Sequence, residues 1–352
     1  MAQAWYATRE DVRSAMGSAS EARDDAQVDR AIDAGSRAVD HLCNRTFQPL
    51  LATRVFDWPQ EQTPRSWRLW LDQYDLITPT LILSAGAVVP ETDYNLEPAN
   101  SGPPYSYIET RLDRPSTWDA GETWQHSIAI TGWWGYSDDQ APAGTLTASV
   151  DEAQTTVAVS DSSTVGVGDL ITVGVERMTV TDKTLADTGQ TLAAPLTAKK
   201  ESVLTTVADG TTIHRGETIT IGAERILVRD VAGNSLMVER AVDGTVLAPH
   251  DTGDTLWAPR LLTVARGAAG TTPASATSGT AIARWMPPGL VHTLAVGEAQ
   301  QTLLQEQAGY ARTVRSQAGT GTRSVSAVVA ELEALRQRVY QAHGRQARIR
   351  VV

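Results

Sequence analysis

The chain has 352 residues, a formal net charge of −11 and an isoelectric point near 5.0. Its length predicts two or three domains, and its acidic balance argues against general nucleic-acid binding, which needs a basic surface. A single cysteine, Cys43, excludes a disulfide framework and is expected to be a buried structural thiol.

Two helices are predicted at the start of the chain. Thr8 and Asp11 resemble a capping box that opens a short helix to about Ala15. A longer helix is predicted from Asp24 to Cys43, because its apolar positions recur at steps of three and four and so form one stripe that suits packing against other helices. These positions are Val28, Ile32, Gly35, Val39 and Leu42.

Residues 46–136 have a different sequence pattern, in which short apolar runs are separated by Pro, Gly, Asn and Asp. The runs predict strands of a small antiparallel sheet. Eight of the ten tryptophans precede residue 137. They favour a tryptophan-rich core over a stacking platform for sugars or bases, which is the open alternative. The cluster comprises Trp58, Trp67, Trp70, Trp118, Trp124, Trp133 and Trp134.

The middle of the chain contains two internal repeats. Residues 168–180 (GDLITVGVERMTV) and 216–228 (GETITIGAERILV) match at an offset of 48, with seven of thirteen positions identical. Residues 236–256 match residues 262–282 at an offset of 26. Such repeats of short alternating segments indicate β-rich modules. The Glu-Arg pair at 176–177 and 224–225 predicts surface charge that protects an edge strand, rather than a ligand site.

The order of the repeats suggests that one β domain is inserted into another. The first inserted domain would comprise 145–190 plus 261–282, and the second 200–258. Three tandem pieces in one sheet are the alternative. Pairing of residues 262–282 with residues 155–183 is what the nested arrangement requires.

The last part of the chain is predicted to be helical again. Pro287-Pro288-Gly289 opens a helix from Leu290 to about Tyr310, and an amphipathic helix follows from Ser324 to Gln341. Residues 312–352 hold eight Arg against two Glu. A solvated helix face is the ordinary explanation of this charge, but the basic and apolar tail 344–352 suits docking to a partner.

Motifs for catalysis, metals and cofactors are not found. The six histidines have no metal-ligand spacing, and the acidic pairs Asp24-Asp25 and Asp138-Asp139 are typical of helix caps and loops. We therefore predict that the chain is not an enzyme, with no catalytic residue, cofactor or metal. We expect neither a secretory signal nor a membrane span, since no apolar run approaches about 18 residues.

Outside the repeats, the sequence resembles the head–tail connector (adaptor) proteins of long-tailed bacteriophages. The resemblance covers about residues 5–140 and 285–343. Its motifs are Arg45-Thr46-Phe47 at the end of a helix, a strand carrying Gly132 to Tyr136 (GWWGY), and Pro287-Pro288-Gly289-Leu290 before the next helix. In simple members the last two motifs are nearly adjacent, whereas about 150 residues separate them here.

The resemblance implies a virion structural protein at the head–tail interface, assembled in the host cytoplasm. It would form a homo-oligomeric ring, typically a dodecamer, beneath the portal protein and above a stopper or other tail-side connector. DNA would pass through the lumen during genome ejection without specific binding. Family members reach into the portal with a C-terminal segment. The matching candidates for portal docking are Arg345, Arg348, Ile349, Arg350, Val351 and Val352.

These inferences combine into an α+β multidomain fold. A helical bundle with a small antiparallel β region (46–136) would comprise 1–140 and 285–343, with a docking tail at 344–352. Two inserted small all-β domains of sandwich, immunoglobulin-like or barrel type, one nested in the other, would point away from the channel. The alternative function is a surface carbohydrate-binding or adhesion protein that uses the β repeats, and a hydrolase with an acidic pair is the weakest hypothesis.

Overall fold

The computed structural model describes residues 3–17, 24–59, 65–307, 313–315 and 322–345. The chain divides into two compact units. The first comprises Met1–Ser36, Gln140–Trp285 and Ala295–Ala330, and the second comprises Arg37–Asp139, Met286–Leu294 and Glu331–Val352.

Four helices are present among the described residues: α1 (Arg9–Met16), α2 (Asp25–Cys43), α3 (Gly289–Gln307) and α4 (Val325–His343). Each of the four predicted helices is confirmed to within a few residues. The predicted capping box is also confirmed, because the Thr8 side chain accepts from the Asp11 amide and the Asp11 carboxylate accepts from the Thr8 amide. Within the described ranges, none of the helices has the combination of length and apolarity that crossing a membrane requires.

The predicted fold class is nevertheless wrong. The protein is mostly β, with 36% of it in strands, and is not a helical bundle with a small β region. One reason lies at the N-terminus, which contacts a turn and a strand of the β-rich region as well as α2. The amides of Trp5 and Arg9 donate to the carbonyls of Gly168 and Val167, and the Tyr6 ring packs against Trp285 at 5.8 Å. Residues up to Ser36 thus group with the β-rich unit.

The second unit contains two small antiparallel sheets. Its strands are β1 (Leu50–Phe56), β2 (Arg68–Trp70), β3 (Leu76–Ser84), β4 (Ala87–Val88), β5 (Tyr94–Glu97), β6 (Tyr107–Thr110) and β7 (Ile128–Trp134). The sheet orders are β1-β7-β3-β4 and β2-β6-β5. Burial alternates along β7, so Ile128, Ile130 and Trp134 enter the core with Trp118. The core role predicted for tryptophan is confirmed for Trp118 and Trp134, whereas Trp124 is exposed.

The first unit contains a ten-stranded antiparallel sheet and a two-stranded ribbon. The order of the large sheet is β12-β15-β14-β13-β16-β11-β10-β17-β8, and β9 also pairs with β16. Its strands are β8 (Gln140–Thr145), β9 (Thr156–Ala158), β10 (Leu170–Val173), β11 (Glu176–Thr191), β12 (Leu204–Thr206), β13 (Thr218–Ile221), β14 (Glu224–Ala232), β15 (Ser235–Glu239), β16 (Thr255–Ala265) and β17 (Ala281–Trp285). The ribbon pairs β18 (Thr313–Arg315) with β19 (Thr322–Ser324).

Two separate apolar cores divide this sheet into a first lobe (residues 140–183 and 261–285) and a second lobe (residues 187–258). The long strands β11 and β16 run through both lobes. Val180 lies opposite Val264, Val173 opposite Ile282 and Val157 opposite Leu262. Residues 262–282 therefore pair with residues 155–183, which is the pairing that the nested arrangement requires.

Candidate functional site

Arg345 is the one predicted docking residue within the part of the chain that the structure describes. Its guanidinium forms an ion pair with Asp75, and its Nη1 donates to the Asp72 carbonyl at 2.8 Å. Its backbone amide donates to the Cys43 carbonyl at 2.9 Å. The positive charge of Arg345 is thus neutralised by Asp75 within the second unit. The other five candidates, Arg348, Ile349, Arg350, Val351 and Val352, lie outside the described residues.

Asp75 is the acceptor that holds this end of the chain. Its side chain is buried, and the Arg45 Nε lies 3.3 Å from its Oδ2. Burial raises the pKa of Asp75 above its ordinary value, although Arg45 and Arg345 both oppose that shift. Burying a carboxylate is costly unless cations compensate it, and the two arginines supply that compensation at Asp75.

An aromatic cluster lies beside this ion pair. The Phe47 ring packs 5.3 Å from Tyr136 and edge-on to His343 at 5.9 Å, and the Arg45 guanidinium lies 5.0 Å above the Tyr136 ring. His343 Nδ1 and Tyr136 Oη share a hydrogen bond of 3.1 Å. Burial and the nearby Arg45 lower the pKa of His343, so its ring is neutral at pH 7.

The two glycines of the GWWGY segment are required because the backbone of neighbouring segments lies close to them. A Cβ on Gly132 would come within 2.4 Å of the Thr78 carbonyl oxygen, and one on Gly135 within 2.3 Å of the Gln48 carbonyl oxygen. Gly135 also has φ of +137°, which disfavours other residues. Between them, Trp134 is buried and its indole N–H donates to the Ala52 carbonyl at 3.0 Å. The two glycines therefore let β7 carry Tyr136 to Phe47.

The repeated Glu residues are not surface charges, and this prediction is wrong. Glu176 and Glu224 are fully buried, and β11 and β14 are interior strands of the sheet rather than edges. Arg266 binds Glu176 through bonds of 2.8 and 2.6 Å, and Arg240 binds Glu224 through two bonds of 2.7 Å. Of the two adjacent arginines, Arg177 is buried and Arg225 is largely exposed.

Each buried Glu also fixes the loop that follows its arginine. Glu176 accepts from the amides of Gly267 and Ala274, and Glu224 accepts from the amides of Ala241 and Ala248. Burial opposes ionisation of Glu224, but the bonds from Arg240, Ala248 and His250 outweigh it and lower its pKa to about 2. The offset of 26 between the second pair of repeats aligns Arg240 with Arg266. This alignment is the sequence feature that could have identified the two arginines as equivalent partners of the buried Glu residues.

The remaining sequence candidates are dispersed. His250 is buried and bonded to Glu224, whereas His41 and His126 are exposed. The Asp25 carboxylate accepts from Arg9 and Arg13, and the Asp139 carbonyl accepts from the Met286 amide. Cys43 is buried, as expected, and burial raises the pKa of its thiol to about 11. The second lobe places Trp257 on its surface, with 40% of the residue exposed.

No family model, curated protein or solved structure matched the chain.

Proposed function

We propose that the protein is a structural adaptor of a phage virion, which forms a ring beneath the portal and presents its C-terminal tail to it. The observation that carries the proposal is that residues of two motifs behind the resemblance meet at the start of that tail. Phe47 and Tyr136 pack against each other and against His343, two residues before Arg345. Residues from two motifs that are distant in the sequence thus contact each other in one aromatic cluster.

The same arrangement supports a defined exit point for the tail. Arg345 binds Asp75 and two backbone carbonyls, so the residue that precedes the tail is held in place. A fixed origin reduces the conformational entropy that an extended segment loses on docking. The tail carries Arg348 and Arg350 beside apolar residues, which suits a partner groove with acidic and apolar walls.

The test is electron microscopy of the full-length protein, alone and mixed with portal rings of the same phage. We expect rings stacked on the portal. A chain ending at Arg345 retains the Asp75 ion pair, so it should keep its thermal stability but lose portal binding. A double Arg348→Ala, Arg350→Ala variant should weaken binding, whereas Lys199→Ala with Lys200→Ala, which removes two exposed cations from the second lobe, should not.

Two results would contradict different parts of the proposal. If the full-length protein stays monomeric and does not bind the portal, the adaptor function is wrong. If the truncated chain binds the portal as tightly as the full chain, the adaptor function stands but the tail is not its docking element. Monomers without portal do not contradict it, because a ring can assemble on the portal itself.

A further inference from the structure

Three metal-ligating side chains meet between the two lobes of the first unit. Asp161 follows β9 in the first lobe, and His214 and Glu217 precede β13 in the second lobe. Their ligand atoms all lie within 4.8 Å of one another. Glu217 is fully buried, while Asp161 and His214 are half-buried.

The geometry around His214 matches a coordination site better than a hydrogen-bonded cluster. His214 Nδ1 lies 3.9 Å from Asp161 Oδ1 and 3.7 Å from Glu217 Oε2, and both distances are too long for hydrogen bonds. This nitrogen is shielded from solvent and has no hydrogen-bond partner among the described residues. Ligand atoms around a tetrahedral zinc ion are separated by about 3.4 Å, given bonds of roughly 2.1 Å. The two separations at His214 Nδ1 exceed this spacing by only about 0.3–0.5 Å.

Neighbouring groups hold both carboxylates in place. Arg260 donates to the two oxygens of Glu217 at 2.7 Å each, and the Ser162 hydroxyl donates to Oε1 at 2.7 Å. Asp161 Oδ1 accepts from the Ser163 amide at 2.8 Å and from the Ser163 hydroxyl at 2.6 Å. Supporting bonds of this kind orient metal ligands and strengthen their affinity.

The charge balance favours a cation. Asp161 and Glu217 carry two negative charges against the one positive charge of Arg260, which binds Glu217. The nearby Lys183 ammonium binds the Ser162 and Val165 carbonyls and lies 3.3 Å from a Glu10 carboxylate oxygen. One imidazole with two carboxylates is a ligand set that suits Zn²⁺.

We propose that Asp161, His214 and Glu217 bind one Zn²⁺ ion, with water in the fourth position, and that the ion links the two lobes. The link would add to the hydrogen bonds that the Ser162 hydroxyl and amide donate to Glu217. This inference is independent of the adaptor function, since it concerns only the repeat region.

The test is calorimetric titration of Zn²⁺ into the full-length protein after chelator treatment. We expect one site per chain. His214→Ala should weaken Zn²⁺ binding at least about 100-fold, because loss of mere supporting groups already costs 10–100-fold. Asp161→Asn, which keeps the side-chain volume, should weaken it similarly. His41→Ala removes an exposed imidazole elsewhere and should bind as the unmodified protein does.

Hydrogen exchange provides a second measurement that does not depend on the binding isotherm. Zn²⁺ should slow exchange in residues 159–165 and 212–218 of the unmodified protein, and not in Asp161→Asn. Absence of Zn²⁺ uptake by the unmodified protein would overturn the proposal, as would equal affinity in His214→Ala. If His214→Ala does not fold, unchanged affinity in Asp161→Asn would overturn it alone.

Discussion

Arg240 and Glu224 form an ion pair inside the second lobe with both side chains wholly excluded from solvent. Arg266 and Glu176 form the corresponding pair in the first lobe, and the Arg266 side chain is 7% exposed. In each pair the Glu belongs to the repeat of offset 48 and the Arg belongs to the repeat of offset 26. The two lobes thus repeat a chemical arrangement as well as a sequence.

Removing the charge of Glu224 should destabilise the second lobe selectively. Glu224→Gln leaves Arg240 buried without its counter-ion, which costs about 3–5 kcal/mol. Hydrogen exchange of β13 to β15 should show faster opening, while the first lobe retains its protection. The matched control is Glu239→Gln, which removes the exposed pair with Arg229 and should cost less than about 1 kcal/mol. Equal losses in the two variants would contradict the dominance of the buried pair.

Local sequence patterns predicted the elements of this fold well, because helix stripes, caps and strand alternation are short-range features. All four helices and the repeat lay within reach of such patterns. The fold class was missed because it depends on what each element packs against. Arg9, on a correctly predicted helix, binds the Val167 carbonyl of the first lobe. Nothing in a helix stripe indicates that its partner is a turn of a β-rich region more than a hundred residues away.

The buried carboxylates were missed for a related reason. In an alternating strand, Glu176 looks like a solvent-facing position. Its burial depends on Arg266, which is separated from it by 90 residues. The internal repeats carried the necessary information, since the Glu recurs in the repeat of offset 48 and the Arg recurs in the repeat of offset 26. Asp75 had no such signal, because its partners Arg45 and Arg345 come from opposite ends of the second unit.

His250 should stabilise the second lobe by a smaller amount than Arg240. Its Nε2 lies 2.9 Å from Glu224 Oε2, and the loss of a hydrogen bond to a charged group costs about 1.5–3 kcal/mol. The corresponding residue in the first lobe is Ala276, and both positions form equivalent bridges, Leu196–His250 and Val150–Ala276. His250→Ala should therefore fold, with a lower denaturant midpoint for the second lobe. An unchanged midpoint would show that the bond adds nothing.

Asp169 should make the stability of the first lobe depend on pH. Burial raises its pKa to about 6, although the Gly166 amide donates to it and Arg284 lies 3.7 Å away. The folded state then holds a proton that the unfolded state releases near pH 4. This contribution to stability is complete below about pH 4 and is lost as the pH rises through about 6.

Asp169→Asn should remove this dependence, because an amide does not ionise. Relative to the unmodified protein, the variant should gain up to about 3 kcal/mol in the first lobe between about pH 4 and pH 7. Hydrogen exchange of β10 and β11 across this range, corrected for the intrinsic pH dependence of exchange, measures the difference. A difference that stays constant with pH would mean that Asp169 ionises normally in the folded protein.

Arg345 and Asp75 should be energetically coupled in the second unit. Arg345→Ala leaves the buried Asp75 carboxylate with Arg45 alone, so it should destabilise the unit. After Asp75→Asn, the same Arg345 change should cost less, because the partner charge has gone. Groups in one ion-pair network typically couple by about 0.5–3 kcal/mol. A double-mutant cycle, followed by exchange in residues 68–76 and 128–136, measures this term. Additive effects would mean that the Arg345 guanidinium is not coupled to Asp75 and does not anchor the tail through it.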